Sequence, residues 1–324
     1  MSEKPTLRIG YVPEHYLAPL HLSLRSATYT SPSFPYTLTP VPFPSGTGHM
    51  ITSLRSGEID LAIGLTEGWV AGLAGKSAPP TDSEAGYKIV GHWVDTPLRW
   101  AIVTGRDRDD LKGVDDLRGG KVGVSRLGSG SHVMSFVLAD EQKWEKGEKG
   151  GLEPVILGPF GSLKEGVTGT NKGQTSEQGK ADFFMWEHFT TKPSFSGDGA
   201  PLKKIGEIFT PWPSWMVVAS ISIFPNPESD ERLDKLFALL DEGVKAFQGD
   251  HEGVVKMLGT GEFGCHYSAE DGTEWIRDVR FSEGTRGVSS QILGGVVDVL
   301  KGAGVIGEGV DREEAIKKVT GISR

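Results

Sequence analysis

The chain has 324 residues, more than one ordinary core needs and enough for two domains. With 34 Lys and Arg against 43 Asp and Glu the net charge is −9, which argues against nucleic acid or an anionic membrane as partner. A single cysteine excludes, within the chain, a disulfide framework, a cysteine-ligated iron–sulfur cluster and a zinc site built on several cysteines.

Met1-Ser2-Glu3-Lys4-Pro5 leads straight into an apolar strand, residues 7–12, with no charged-then-apolar leader, and no stretch is apolar enough to span a bilayer. The expectation is a cytoplasmic protein. A helical stretch with Leu17, Leu20 and Leu24 follows, then an alternating strand over 36–41 broken by Pro42 and Pro44. Ser45-Gly46-Thr47-Gly48-His49 opens a helix that Gly57 stops, residues 59–63 read as a buried strand, and Thr66 is placed to cap a helix carrying Trp69, Val70 and Leu73. This rhythm predicts a mostly parallel sheet with crossover helices.

A second α/β unit begins with a strand over 99–104. A short helix, 111–118, and a strand, 121–124, come next, and Gly128-Ser129-Gly130-Ser131 leads into a helix with Val133, Phe136 and Val137 on one face. Further strands are predicted at 155–157, 181–185 and 216–219, and helices at 233–247, 254–258, 275–279 and 291–300. Polar, glycine-rich loops interrupt at 76–86, 143–151, 168–180 and 194–200.

The Gly128-Ser129-Gly130-Ser131 turn sits between strand and helix. Glycine lets the backbone curl, the helix N-terminus carries partial positive charge, and serine hydroxyls donate, so the turn can cradle an anion or a polar oxygen. Gly46-Thr47-Gly48 has the same build, and each also reads as a plain capped turn. Neither is a nucleotide motif: Ile51 stands where a dinucleotide fingerprint needs its third glycine, and Ser129 where a phosphate loop needs lysine. H-E-x-x-H and G-x-S-x-G are missing, and Cys265 beside His266 is no evidence for a thiolate pair. No metal site or cofactor is expected. Glu14, Glu67 and Glu187 each follow an apolar strand, where open α/β sheets bind ligands, and Tyr16 and Trp186 can stack on a ring.

Four segments resemble the type II periplasmic-binding-protein fold, in its branch of alkanesulfonate-, taurine- and thiamine-pyrimidine-binding proteins. They are Leu7-Arg8-Ile9-Gly10-Tyr11-Val12-Pro13; the stretch 54–64 with Gly57, Asp60 and Gly64; the stretch 111–125, which ends Gly119-Gly120-Lys121-Val122-Gly123-Val124-Ser125; and the stretch 179–187, which ends Met185-Trp186-Glu187. The resemblance, over residues 5 to 220, implies an α/β protein of two lobes with a ligand cleft between them. Residues 1–96 with 222–324 would form lobe one and 97–221 lobe two, with crossings near 96–98 and just after Val218. Without an export signal the chain fits the cytosolic, fungal-type proteins of this superfamily, and the expectation is a binder of a small polar or anionic ligand, a heterocyclic, pyrimidine-like one among the candidates. The turns and strand ends read above nominate Glu14, His15, Gly46, Thr47, Gly48, Thr66, Glu67, Ser125, Arg126, Ser129, Ser131, Trp186 and Glu187 to hold it. The alternative is an enzyme of this fold, a lyase or transferase of thiamine-precursor or menaquinone-pathway type with His15 or His49 as base. The fungal thiamine-pyrimidine synthases need a cysteine-rich iron motif that one cysteine cannot supply.

Overall fold

The computed structural model describes residues 4–144, 151–168 and 181–324. Most of the loops expected at 143–151 and 168–180, and Gly179 and Lys180 of the last resembling segment, lie outside the described residues.

In chain order the elements are β1 (Thr6–Tyr11), α1 (Ala18–Ser23), α2 (Ala27–Thr30), β2 (Thr37–Pro42), α3 (Thr47–Arg55), β3 (Leu61–Leu65), α4 (Thr66–Ala74), α5 (Asp82–Ala85) and β4 (Tyr87–Val94). Next come β5 (Arg99–Gly105), β6 (Lys121–Val124), α6 (Gly130–Glu141), β7 (Glu153–Ile156), α7 (Phe160–Thr168), β8 (Phe183–Glu187), α8 (His188–Phe195) and β9 (Leu202–Phe209). The chain closes with β10 (Trp215–Ser220), α9 (Glu231–Gly249), α10 (His251–Gly259), α11 (Ala269–Asp278), α12 (Ser290–Gly302) and α13 (Arg312–Val319).

Two compact units result. The first holds Met1–Thr96, Trp212–Asp298 and Ile306–Arg324, and the second Pro97–Pro211 and Val299–Val305. Residues 212–221, expected in the second unit, lie in or beside the sheet of the first, because β10 pairs antiparallel with both β3 and β4. The return crossing thus falls at Pro211 and Trp212, before β10 rather than after Val218.

The sheet of the first unit has the order β2-β1-β3-β10-β4, and that of the second β7-β6-β8-β5-β9. The two share one plan. In each, three parallel strands (β2, β1, β3; β7, β6, β8) are followed by an antiparallel strand and a last strand paired antiparallel to it. The sheets are therefore mixed, not mostly parallel as the rhythm of elements implied. The apolar run of β10, buried at every position, marks a central strand but carries no sign of its direction.

Packing follows the apolar stripes. On α9, Leu233, Leu236, Phe237, Leu240, Val244 and Phe247 recur at three- and four-residue spacing and are all buried. Asp230 caps this helix, accepting the Arg232 N–H at 2.9 Å. α1 lies against α9 so closely that a Cβ at Gly243 would sit 2.1 Å from the Pro19 carbonyl oxygen. Among the described residues no helix is long and apolar enough to cross a membrane.

Candidate functional site

In each unit the chemistry-bearing residues gather where parallel strands end, since the strand-to-helix turns there present helix N-termini and loop side chains. In the first unit β1 runs into a turn that carries Glu14, His15 and Tyr16. His15 is 1% exposed; its Nδ1 lies 2.8 Å from the Tyr267 hydroxyl, and Tyr16, Tyr267 and Trp275 surround its ring. Burial holds this imidazole well below its usual range, so it is neutral. Tyr16 stacks on Trp215 with ring centroids 5.4 Å apart. Glu14 is half-buried, and its charge, after burial, helps push the Cys265 thiol up to about 12. Cys265 is therefore a thiol, not a thiolate, at neutral pH.

Gly46 caps α3 with φ of 78°, and Gly48 lies in the helix's first turn. The Thr47 hydroxyl faces inward and accepts the Leu65 N–H at 3.0 Å. His49 is exposed and meets Phe43 edge-on. Thr66, expected to cap α4, is its first residue; Leu65 holds the cap position, and the Thr66 hydroxyl donates to the Pro213 carbonyl at 2.6 Å. Glu67 is fully buried and accepts the Trp212 indole N–H at 3.1 Å. Thr47, Thr66 and Glu67 thus have partners inside the first unit, where they fix the ends of β3 and β10.

In the second unit the Gly128-Ser129-Gly130-Ser131 turn joins β6 to the 12-residue helix α6. Gly128 takes φ of 76°, a backbone state that other residues strain to reach. Ser129 is the N-cap, accepting the His132 N–H at 3.4 Å. Its hydroxyl shares a hydrogen bond with that of Ser131 at 3.1 Å, and the Ser131 oxygen also accepts the Ser125 N–H at 3.4 Å. Two hydroxyls carry two protons, and their mutual bond uses one. The other has no acceptor among the described residues.

His132, which the sequence reading passed over, belongs to this turn. Its Nδ1 accepts the Gly128 N–H at 3.0 Å, so the ring proton sits on Nε2. The signal was available: a histidine four residues after the glycine that turns the chain. Arg126 and Leu127 are exposed beside the turn.

On the neighbouring β8, Trp186 is partly exposed and tilts against Phe160 at 5.5 Å. Glu187 ends the strand and caps α8, accepting the Thr190 N–H at 2.6 Å. Burial pushes its carboxyl up to about 7, against the pull of the Thr190 and Phe189 N–H groups and the Arg99 charge. Among the described residues no cluster of histidine, cysteine and carboxylate groups has the make-up of a metal site.

A family model described as Ca3427-like PBP, a periplasmic-binding-protein group, matches residues 100–208. The solved structure of the Candida albicans CA3427 gene product, described as defining a new family with the generic periplasmic binding protein fold, is similar over nearly the whole length. The TM-score is 0.83 at 29% identity, covering 99% of this chain and 98% of that one. The alkanesulfonate-binding protein SsuA from Xanthomonas axonopodis pv. citri, bound to MOPS, superposes with a TM-score of 0.66 at 16% identity, over 97% of this chain and 99% of that one. The periplasmic nitrate-binding protein NrtA from Synechocystis PCC 6803 gives 0.71 at 14% identity, over 98% and 86%. Among curated proteins none matches. The shared strand order of the two units, the matched segment 100–208 and the likeness over the full length lead to one statement: this chain is a protein of the type II periplasmic-binding-protein fold, similar to the Ca3427-like group.

Proposed function

We propose that the chain binds a small polar or anionic molecule through the Ser129–Ser131 turn. The observation that carries this reading is the spare hydroxyl proton of the serine pair, at the N-terminus of a long helix. A buried hydroxyl donor at a helix N-terminus, with no acceptor among the described residues, suits an oxygen-rich ligand. Proteins of this fold that bind alkanesulfonate and nitrate support it.

The finer form of the proposal is a cytoplasmic binder of a pyrimidine-like ring. The half-open face of Trp186 offers a stacking surface, and Glu187, ready to hold or lose a proton near neutral pH, offers a partner for ring nitrogens. Native mass spectrometry of freshly purified protein, followed by extraction and identification of the released compound, tests both levels. With that compound as probe, the double variant Ser129→Ala, Ser131→Ala should bind about 5- to 100-fold more weakly, the loss of hydrogen bonds to a polar or charged group. Unchanged affinity in a folded variant overturns the role of the turn. A released compound without a ring overturns the pyrimidine form, and one chemically altered during incubation favours the enzyme alternative.

A further inference from the structure

Residues 320–324 are stitched into the first unit on both sides. The Gly321 N–H donates to the Ile89 carbonyl of β4 at 2.7 Å, the Val288 N–H to Ile322 at 3.0 Å, and the Arg324 N–H to Val288 at 3.2 Å. Arg324 anchors the far end. Its Nη1 donates to the Gly284 carbonyl at 2.6 Å and to the Ser282 hydroxyl at 3.1 Å, and its Nη2 lies 2.8 Å from Nδ1 of His92.

His92 sits on β4, 2% exposed. On the other side of its ring, Nε2 faces Oδ1 of Asp95 at 3.1 Å and the Val94 carbonyl at 3.3 Å. A guanidinium only donates hydrogen bonds. Nδ1 must therefore offer its lone pair, and the ring proton must sit on Nε2, toward the carboxylate. The three side chains form a row of anion, neutral imidazole and cation. A second proton on the ring has one place to go, Nδ1, where an Arg324 N–H already points. Taking it up turns a 2.8 Å hydrogen bond into a contact between two cations.

We propose that Asp95, His92 and Arg324 form an acid-released latch, which holds residues 320–324 on β4 when His92 is neutral and lets them go when the imidazole takes its second proton. The groups around the ring fit this role. Met216 is its register neighbour on β10, the Thr285 carbonyl accepts the His92 N–H, and Ser282 lies across Arg324; none carries charge. The charges acting on the ring are Asp95, which favours the second proton, and Arg324, which opposes it together with burial; their balance lies below the ordinary imidazole range. The latch is thus closed at neutral pH and opens only on acidification below the ordinary imidazole range.

The test is residue-resolved amide exchange by NMR between pH 8 and pH 5, corrected for the intrinsic pH dependence, with the His92 ring titration followed in the same samples. In the wild type the protection of the Gly321 and Arg324 amides should fall at least tenfold as His92 titrates. His92→Gln, which cannot take the proton, should hold it flat. Asp95→Asn, at a side chain that reaches solvent, should move the release to lower pH, and Arg324→Gln should move the ring titration to higher pH. Constant protection through the wild-type His92 titration, the same loss in His92→Gln, or a release unmoved in Asp95→Asn overturns the latch.

Discussion

Asp60 holds Arg8 by its backbone and its side chain at once. Its carboxylate accepts the Arg8 N–H at 2.7 Å and the guanidinium at 2.7 and 3.0 Å, while its own N–H donates to the Arg8 carbonyl at 2.9 Å. This ties the start of β3 to β1. The second unit repeats the device, for Asp182 accepts the Lys121 N–H at 2.8 Å, donates its own N–H to the Lys121 carbonyl at 2.8 Å, and pairs with Arg108 at 3.0 Å. Asp60→Asn, which keeps the shape and removes the charge, should destabilise the protein by about 1–3 kcal/mol. Arg8→Gln should cost less, because the guanidinium is partly in water. Urea unfolding midpoints of the two variants check the order.

Glu187 predicts a stability that depends on pH in an unusual direction. Its carboxyl is pushed up from 4.5 to about 7, so the folded state holds the proton more readily than the unfolded chain. The contribution is full below about pH 4.5 and is lost as pH rises through 7. Glu187→Gln resembles the protonated form and keeps an acceptor for Thr190. It should melt above the wild type at pH 8, by the equivalent of about 1–3 kcal/mol, and close to it at pH 5. Calorimetry at both values reads this out; an equal gap at the two would show that Glu187 does not titrate as described.

His15 has the opposite sign. Its imidazole is held well below its usual value of 6.5 by burial, so the folded state resists the proton. Its contribution is present above about pH 6.5 and is lost as pH falls. His15→Phe removes a buried hydrogen bond to the Tyr267 hydroxyl and should cost about 1–3 kcal/mol at pH 8. That difference should shrink toward pH 5, where unfolding of the wild type, and not of the variant, takes up a proton at this position. Denaturant midpoints at the two pH values measure it.

The contact of α1 with α9 leaves no room at Gly243. A methyl group there would press on the Pro19 carbonyl at 2.1 Å and on the Ser23 Cβ at 2.8 Å. Backbone is the obstacle, so the helices themselves must part. Gly243→Ala should destabilise by about 2–4 kcal/mol, although alanine is the better helix former. Wild-type thermal stability in this variant would mean the helices are free to separate.

Much of this architecture was legible because it rests on apolar runs and turn chemistry. Residues 121–124 and 216–219 read correctly as strands, the buried strand read at 59–63 begins two residues later at Leu61, and the stripe on α9 fell where its leucines placed it. β4 and β9 were passed over. In β4, Gly91 and His92 interrupt the apolar pattern, and in β9, Lys203, Lys204 and Glu207 mask it, since β9 forms the sheet edge where charged side chains reach water. Strand direction was not legible, because antiparallel and parallel neighbours ask for the same buried residues. At the site, the cap role of Ser129 followed from its place before a helix. The inward turn of Thr47 and Thr66 did not, because their partners, Leu65 and Pro213, are 18 and 147 residues away.

The placement of β10 has a consequence for the order in which the chain is made. β4 is complete at residue 94, yet in the sheet its link to β3 runs through β10, which ends at residue 220. While more than a hundred further residues are synthesised, the apolar Ile89, Val90, Trp93 and Val94 lack their sheet neighbour. At bacterial or eukaryotic elongation rates of about 5–20 residues per second this interval lasts several seconds or longer. Until β10 emerges, β4 has no route into the sheet of β2, β1 and β3, and the backbone donors and acceptors that face β10 on both sides of the gap stay open to a passing strand.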